Sequence, residues 1–136
     1  MADREPRWLS RVVVEAIQTD VLITHGGMPG PRDENLLEST LARPKQRFSY
    51  EPTAHLAALA AAYGHGFARN HPYNDGNKRV AFIAMAVFLG LNGLEFTASE
   101  TDVVTTMVAL AAGEIGEGAL ADWVRLNTAR RVLGSR

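Results

Sequence analysis

The sequence predicts an all-α fold, a compact bundle of about six helices with a small extended flap. Three observations carry this expectation. Apolar residues recur at helical spacing in segment after segment, and strand-like alternation of useful length is missing. Glycines and prolines punctuate the ends of those segments. One segment, running from about Asn77 to Asn92, is apolar on nearly every side beyond Arg79, as a helix surrounded by other helices would be.

In chain order, Ser10 caps a first helix with Val13, Ile17, Val21 and Leu22 on one face, stopped by Gly26-Gly27. Turn material follows at Met28–Arg32. A shorter helix starting near Asp33 and holding Leu36, Leu37 and Leu41 should end before Pro44. The stretch Arg43–Glu51 has no helical period, and its two aromatics, Phe48 and Tyr50, suit the flap or a small hairpin. Thr53 reads as the cap of an Ala- and Leu-rich helix that reaches about Asn70, where Pro72 breaks it. After the apolar helix, Gly93 marks a stop. Further helices are expected over Ser99–Ala112, halted by Gly113, and over Glu117–Val132, with Leu120, Trp123, Val124 and Leu126 on the buried side.

Composition narrows the class. A chain of 136 residues with 46% apolar and 21% charged residues has ordinary globular balance and reads as a single domain over 1–136. A net charge of −1 and the absence of a recognition-helix pattern argue against direct nucleic-acid binding. Without cysteine there are neither disulfides nor thiolate metal sites, which suits a reducing compartment. The charged opening Met1–Arg7 lacks the apolar core of a signal peptide. The apolar run Val80–Leu91 falls short of the about 20 residues a membrane span needs. The expectation is a cytoplasmic protein without a membrane partner.

The chemistry is concentrated in Arg69-Asn-His-Pro-Tyr-Asn-Asp-Gly-Asn-Lys-Arg79. Asp75-Gly76-Asn77 entering a helix offers free N–H groups and the positive end of the helix dipole, a natural phosphate seat. Gly76 admits an anion close to the backbone. Lys78 and Arg79 stand in the first turn, where cations oppose the dipole at a cost of about 0.3–1 kcal/mol unless an anion offsets it. Asp75 suits a helix cap or a Mg²⁺ ligand. His71, with an ordinary pKa near neutrality, can take a proton from an attacking hydroxyl. Taken singly, each residue has a plain structural reading as cap, turn or solvated charge. Together they form the parts list of phosphoryl or nucleotidyl transfer. The other histidines, His25, His55 and His65, read as helix-end, surface or packing residues, and Arg125, Arg130 and Arg131 as a solvated face. No His-x-x-x-His pair and no P-loop sequence occur.

His71-Pro-Tyr-Asn-Asp-Gly-Asn-Lys-Arg79 resembles the Fic/Doc signature, specifically the Doc (death-on-curing) branch, whose loop reads His-x-Phe-x-Asp-Ala/Gly-Asn-Lys-Arg. The segments His25–Asp33, Leu36–Ser39, Leu41–Pro44 and Leu91–Leu94 are similar to that branch as well. The resemblance implies a helical Fic fold with a target-docking flap. It further implies a toxin of a Phd/Doc-type toxin–antitoxin system: a protein kinase transferring the γ-phosphate of ATP, with Mg²⁺, to a Ser or Thr hydroxyl of an EF-Tu-like translation factor. In that assignment His71 is the base and Asp75 the metal ligand. Gly76, Asn77, Lys78 and Arg79 bind the nucleotide, with Arg69 a further phosphate contact.

Lys78 stands where AMP-transferring Fic members have a second glycine, which implies a reversed nucleotide. Gly76 is shared with those members, so AMP transfer stays open, as does a catalytically silent antitoxin-binding module. Tyr73 replaces the usual Phe, and its hydroxyl needs a partner or water. No Ser or Thr has Glu four residues later, so the inhibitory-helix pattern of many Fic enzymes is missing. The resemblance then implies restraint by a separate Phd-type antitoxin that folds as it binds.

Overall fold

The computed structural model describes residues 5–131. Its helices are α1 (Arg11–His25), α2 (Glu34–Tyr50), α3 (Leu56–Asn70), α4 (Asn77–Leu91), α5 (Glu100–Ala111) and α6 (Glu117–Leu126). Two three-residue strands, β1 (Leu94–Phe96) and β2 (Thr128–Arg130), pair antiparallel with Leu94 opposite Arg130 and Phe96 opposite Thr128. The all-α expectation and the six helices hold. None of the helices among the described residues is long and apolar enough to cross a membrane.

Caps set several boundaries as the sequence implies. The Ser10 hydroxyl accepts from Val13 N, Asp33 from Leu36 N and Ser99 from Asp102 N, each satisfying an amide the helix leaves free. Gly26, Gly93 and Gly113 follow α1, α4 and α5 with positive φ.

The centre of the bundle is α3. Its alanine face, Ala57–Ala62, lets neighbouring helices approach closely, and it packs most extensively on α4, α6 and α2. Tyr63 and Phe67 are its large buried side chains, and Tyr63 meets Phe88 of α4 at 5.2 Å between rings. Burying aromatics of this size stabilises the fold by about 1.5–3 kcal/mol each. As expected of a helix apolar on nearly every side, α4 is surrounded, by α3, α1, α5 and β1, but its enclosure is incomplete. Its Phe82 and Ile83 are half-buried and line a cavity instead.

Three boundaries differ from the sequence expectation. First, α2 runs through Pro44 to Tyr50, so Arg43–Tyr50 is helix, with Glu51 as its C-cap, and not a flap. A helix-interior proline costs about 3 kcal/mol. Tertiary contacts on the continuation offset it: Pro44 is buried, Phe48 packs edge-on against Trp8 at 5.8 Å, and Arg43 and Arg47 reach Glu117 of α6. Second, the residue before α3 is His55, with no side-chain cap, and Thr53 lies in the turn ahead of it. Third, α6 stops at Leu126, which is 77% exposed rather than buried. There the Asn127 amide donates to Trp123 O at 2.9 Å and the Thr128 hydroxyl to Val124 O, which ends the helix and turns the chain into β2. Val132, the expected end of that helix, lies outside the described residues. The extended pairing therefore sits on α4 and α6, with Phe96 between Phe82 and Trp123.

Candidate active site

The His71–Arg79 loop joins the end of α3 to the start of α4. His71 adopts a left-handed backbone, φ 49° and ψ 57°, and among the described residues no other non-glycine has positive φ. Such a conformation costs a bulky L-residue about 1–2 kcal/mol, so the surroundings must hold it. They do so through the strap between α1 and α2. Arg32 Nε donates to His71 O at 2.8 Å, its Nη2 to Asn70 O at 2.9 Å, and its backbone N–H to Pro72 O at 2.8 Å. Pro31 and Tyr73 form an isolated antiparallel bridge, and the Asn74 amide donates to Gly30 O at 3.2 Å.

Tyr73 anchors the loop in the core. Its ring stacks on Phe67 with centroids 6.3 Å apart and planes within 4°. Asn77 closes the loop on itself: its Oδ1 accepts from Tyr73 N at 3.1 Å and its Nδ2 donates to Tyr73 O at 2.9 Å. Its amide is 8% exposed and is spent on the turn. The Tyr73 hydroxyl finds no hydrogen-bond partner among the described residues. Burial, and next the charge of Glu15, push this phenol up to about 12.

Asp75 is exposed on the loop surface, and its Oδ2 accepts from Met28 N at 2.7 Å. The buried Gln18 of α1 reaches Asp75 O at 3.4 Å from below. Gly27 must be glycine here: its φ is +122°, and a Cβ would lie 2.8 Å from Asp75 Cβ. Gly76 opens α4 at φ 84° with Val21 only 3.0 Å from where its own Cβ would stand. No side chain caps α4, and the first amide with a backbone acceptor is Val80 N, on Gly76 O at 2.9 Å. The N–H groups of the first turn are thus left for an anion. Lys78 and Arg79 of that turn are exposed and line a cavity of about 540 Å³ between α1, α4 and α5, whose walls include Asp20, Phe82, Ile83 and Met107.

Residues 8–89 match the model of the Fic/DOC family. The chain belongs to that family. It is 35% identical over 111 residues to the protein kinase Doc of Escherichia phage P1, covering 82% of this chain and 83% of that protein. It is 38% identical over 85 residues to the toxin Doc of Mycolicibacterium smegmatis, covering 62% of this chain and 65% of that one. These relatives put the chain in the Doc branch of the Fic/DOC family.

In this Doc-type chain, Asp75, Gly76, Lys78 and Arg79 stand together at the α4 N-terminus with Asn77 beneath them as the loop's internal tie, while His71 is exposed at the other end of the same loop, next to α3. Arg69 points elsewhere. Its guanidinium packs on Gly113 at the end of α5, 3.0 Å from where a Cβ on that glycine would be. The donor set fits Mg²⁺, which binds through one or two carboxylates, retained waters and substrate phosphates. One Asp75 oxygen is engaged by Met28, and no cluster of three metal-ligating side chains occurs among the described residues. A protein cage of the zinc type is not what these residues build.

Arg32, Gln18 and Gly27 are contributors that reading the sequence for chemistry passed over. The motif-like run His25–Asp33 was the available signal, but nothing in a Pro-Arg-Asp sequence says that the arginine reaches carbonyls about forty positions later. His65 is a packing residue as expected. Half-buried against Arg43 and Glu117, its pKa is lowered by burial and by the charges of Arg43 and Arg69, against an opposing pull from Glu117.

Proposed function

We propose that this Doc-type chain is a toxin of a toxin–antitoxin pair that acts in the cytoplasm as a protein kinase. It would transfer the γ-phosphate of ATP to a Ser or Thr hydroxyl of an EF-Tu-like translation factor and so arrest growth. The observation that carries the reading is the uncapped N-terminus of α4, with Lys78 and Arg79 in its first turn and His71 and Asp75 exposed in the loop that leads into it. Two cations at the wrong end of a helix dipole make sense when a polyphosphate is bound there. The kinase and toxin names of the two relatives support the same assignment.

In the proposed reaction the triphosphate sits on the first-turn amides of α4. Arg79 grips it with its planar fork and Lys78 as a point charge. Asp75 would hold Mg²⁺, which when bound supplies neutralisation of charge shared between phosphates. The His71 imidazole takes the proton of the acceptor hydroxyl as its oxygen bonds to the γ-phosphorus. The bond from that phosphorus to the β,γ-bridging oxygen breaks, and ADP leaves. Gly76 leaves the backbone accessible, while Asn77 keeps the turn in shape. Arg69, packed on Gly113, would have to swing to contact phosphate. Restraint would come from a Phd-type antitoxin bound as a separate chain.

Incubation with Mg-ATP and candidate translation factors, followed by intact-mass measurement, tests this. A phosphate-sized increment is expected, with the rate falling by roughly 10²–10⁴-fold in His71→Ala, the usual worth of a positioned base. An increment the size of AMP would replace kinase with adenylyl transfer, the outcome that the shared Gly76 leaves chemically accessible. No modification of any factor, with equal growth effects of wild type and Asp75→Ala, would make the chain a silent binding module.

A further inference from the structure

We propose that Arg32 is a positioning residue for His71, holding the left-handed turn that presents the imidazole; the inference rests on the reading of His71 as the proton acceptor. A helix ending in a left-handed residue normally satisfies its last carbonyls with the N–H of the residue after it. Here that residue is Pro72, which has no N–H. Without that bond the turn is tied from outside the helix, at the carbonyls of the turn itself. Arg32 covers three successive carbonyls at once: Asn70 O with Nη2 at 2.9 Å, His71 O with Nε at 2.8 Å, and Pro72 O with its own backbone N–H at 2.8 Å. The planar guanidinium spans two neighbouring carbonyls in a way an ammonium group does not. A cation at the C-terminal end of α3 also complements that helix's dipole.

Arg32 is itself held from both sides. Pro31 is bridged to Tyr73, and Asp33 caps α2 through Leu36 N at 3.1 Å while its own N–H donates to Pro72 O at 3.3 Å. The backbone that carries the arginine is thus locked to the same loop its side chain organises. His71 needs such support, because a histidine with φ of 49° relaxes toward extended or right-handed backbone once its carbonyl is released.

The test compares wild type with Arg32→Ala, Arg32→Gln and Arg32→Lys by two readouts. One is the amide–α-proton coupling of His71 by NMR, which reports its φ. The other is kcat and KM for ATP, normalised to the folded fraction from thermal melts. In Arg32→Ala the coupling should leave its left-handed value, and kcat should fall by roughly ten- to a hundredfold with KM changed less than about twofold, the signature of a misplaced group. Arg32→Lys should recover only part of both. The inference is overturned if the coupling and kcat per folded molecule stay at wild-type values in Arg32→Ala. It is equally overturned if lysine restores both fully, since charge alone then suffices. Where Arg32→Ala does not fold, the Gln and Lys variants give the same readouts. Because the coupling needs no turnover, it decides the role of Arg32 even where wild type transfers nothing, an outcome that would count against the proposed kinase activity alone.

Discussion

At the scale of single residues, Tyr73 shows how one atom can work against its own side chain. The ring is buried and stacked on Phe67, where it holds the loop to the core, while its hydroxyl is without a partner among the described residues. A buried unsatisfied hydroxyl costs about 1–3 kcal/mol. Tyr73→Phe should therefore raise stability by about 1 kcal/mol, read as a higher melting temperature. The same change has a pH signature. Burial raises Tyr73, and likewise Tyr63, from 10.0 to about 12. Between those values the native state keeps protons that the unfolded chain has lost, so stability falls as pH rises through the window. Melts across it should show a shallower alkaline decline in Tyr73→Phe. The Phe-to-Tyr departure is visible in the sequence. That its hydroxyl faces a closed core is not, because only the packing of α1, α2 and α3 around it decides what it meets.

At the scale of elements, Glu117 is the contact on which the α2–α3–α6 arrangement turns. It sits at the first turn of α6, 17% exposed, with Arg43 and Arg47 of α2 and His65 of α3 around it. These contacts explain why the local rules failed at α2. The proline rule ends the helix at Arg43, but the partners that keep it going, Trp8 and Glu117, lie far off in the chain. The Ser10 cap and the helix starts near Asp33 and Ser99 were legible because a cap acts within four residues, whereas Thr53, read as a cap by the same rule, lies in the turn ahead of α3. Likewise the end of α6 depends on β2 having a partner in β1, which no local pattern reveals. Glu117→Gln should destabilise the protein by about 1–2 kcal/mol, discounted for the half-exposed Arg43. His65 adds a sign. Its folded pKa lies below 6.5, so its contribution is present above that pH and is lost as pH falls through the folded value. Removing Glu117, the one neighbour that raises it, should move that loss to lower pH, measurable in urea titrations of both proteins across the acid range.

At the scale of the whole molecule, the site is assembled from two stretches of chain, the strap before α2 and the loop before α4, with α5 supplying the far wall of the cavity. The loop was legible because its residue types are individually out of place: cations at a helix start, a histidine before proline, an acid beside both. The cavity was not, since it exists only because Phe82 and Ile83 of an all-apolar helix face α1 and α5 across a gap. Nor was the strap, whose contribution is made largely by backbone atoms that carry no sequence label.

Gly27 draws these levels together. It bears no functional group, yet a single added methyl there would press on Asp75 at 2.8 Å. A screen that recovers survivors from a randomised gene should therefore return hits at codon 27 beside those at 71, 75 and 79. Purified Gly27→Ala should melt below wild type, by the about 1–3 kcal/mol that a side chain costs at this φ, and its folded fraction should carry out the proposed transfer at least about tenfold more slowly, as a displaced carboxylate would. An alanine variant that arrests cells as readily as its parent would show that the acid has room to yield.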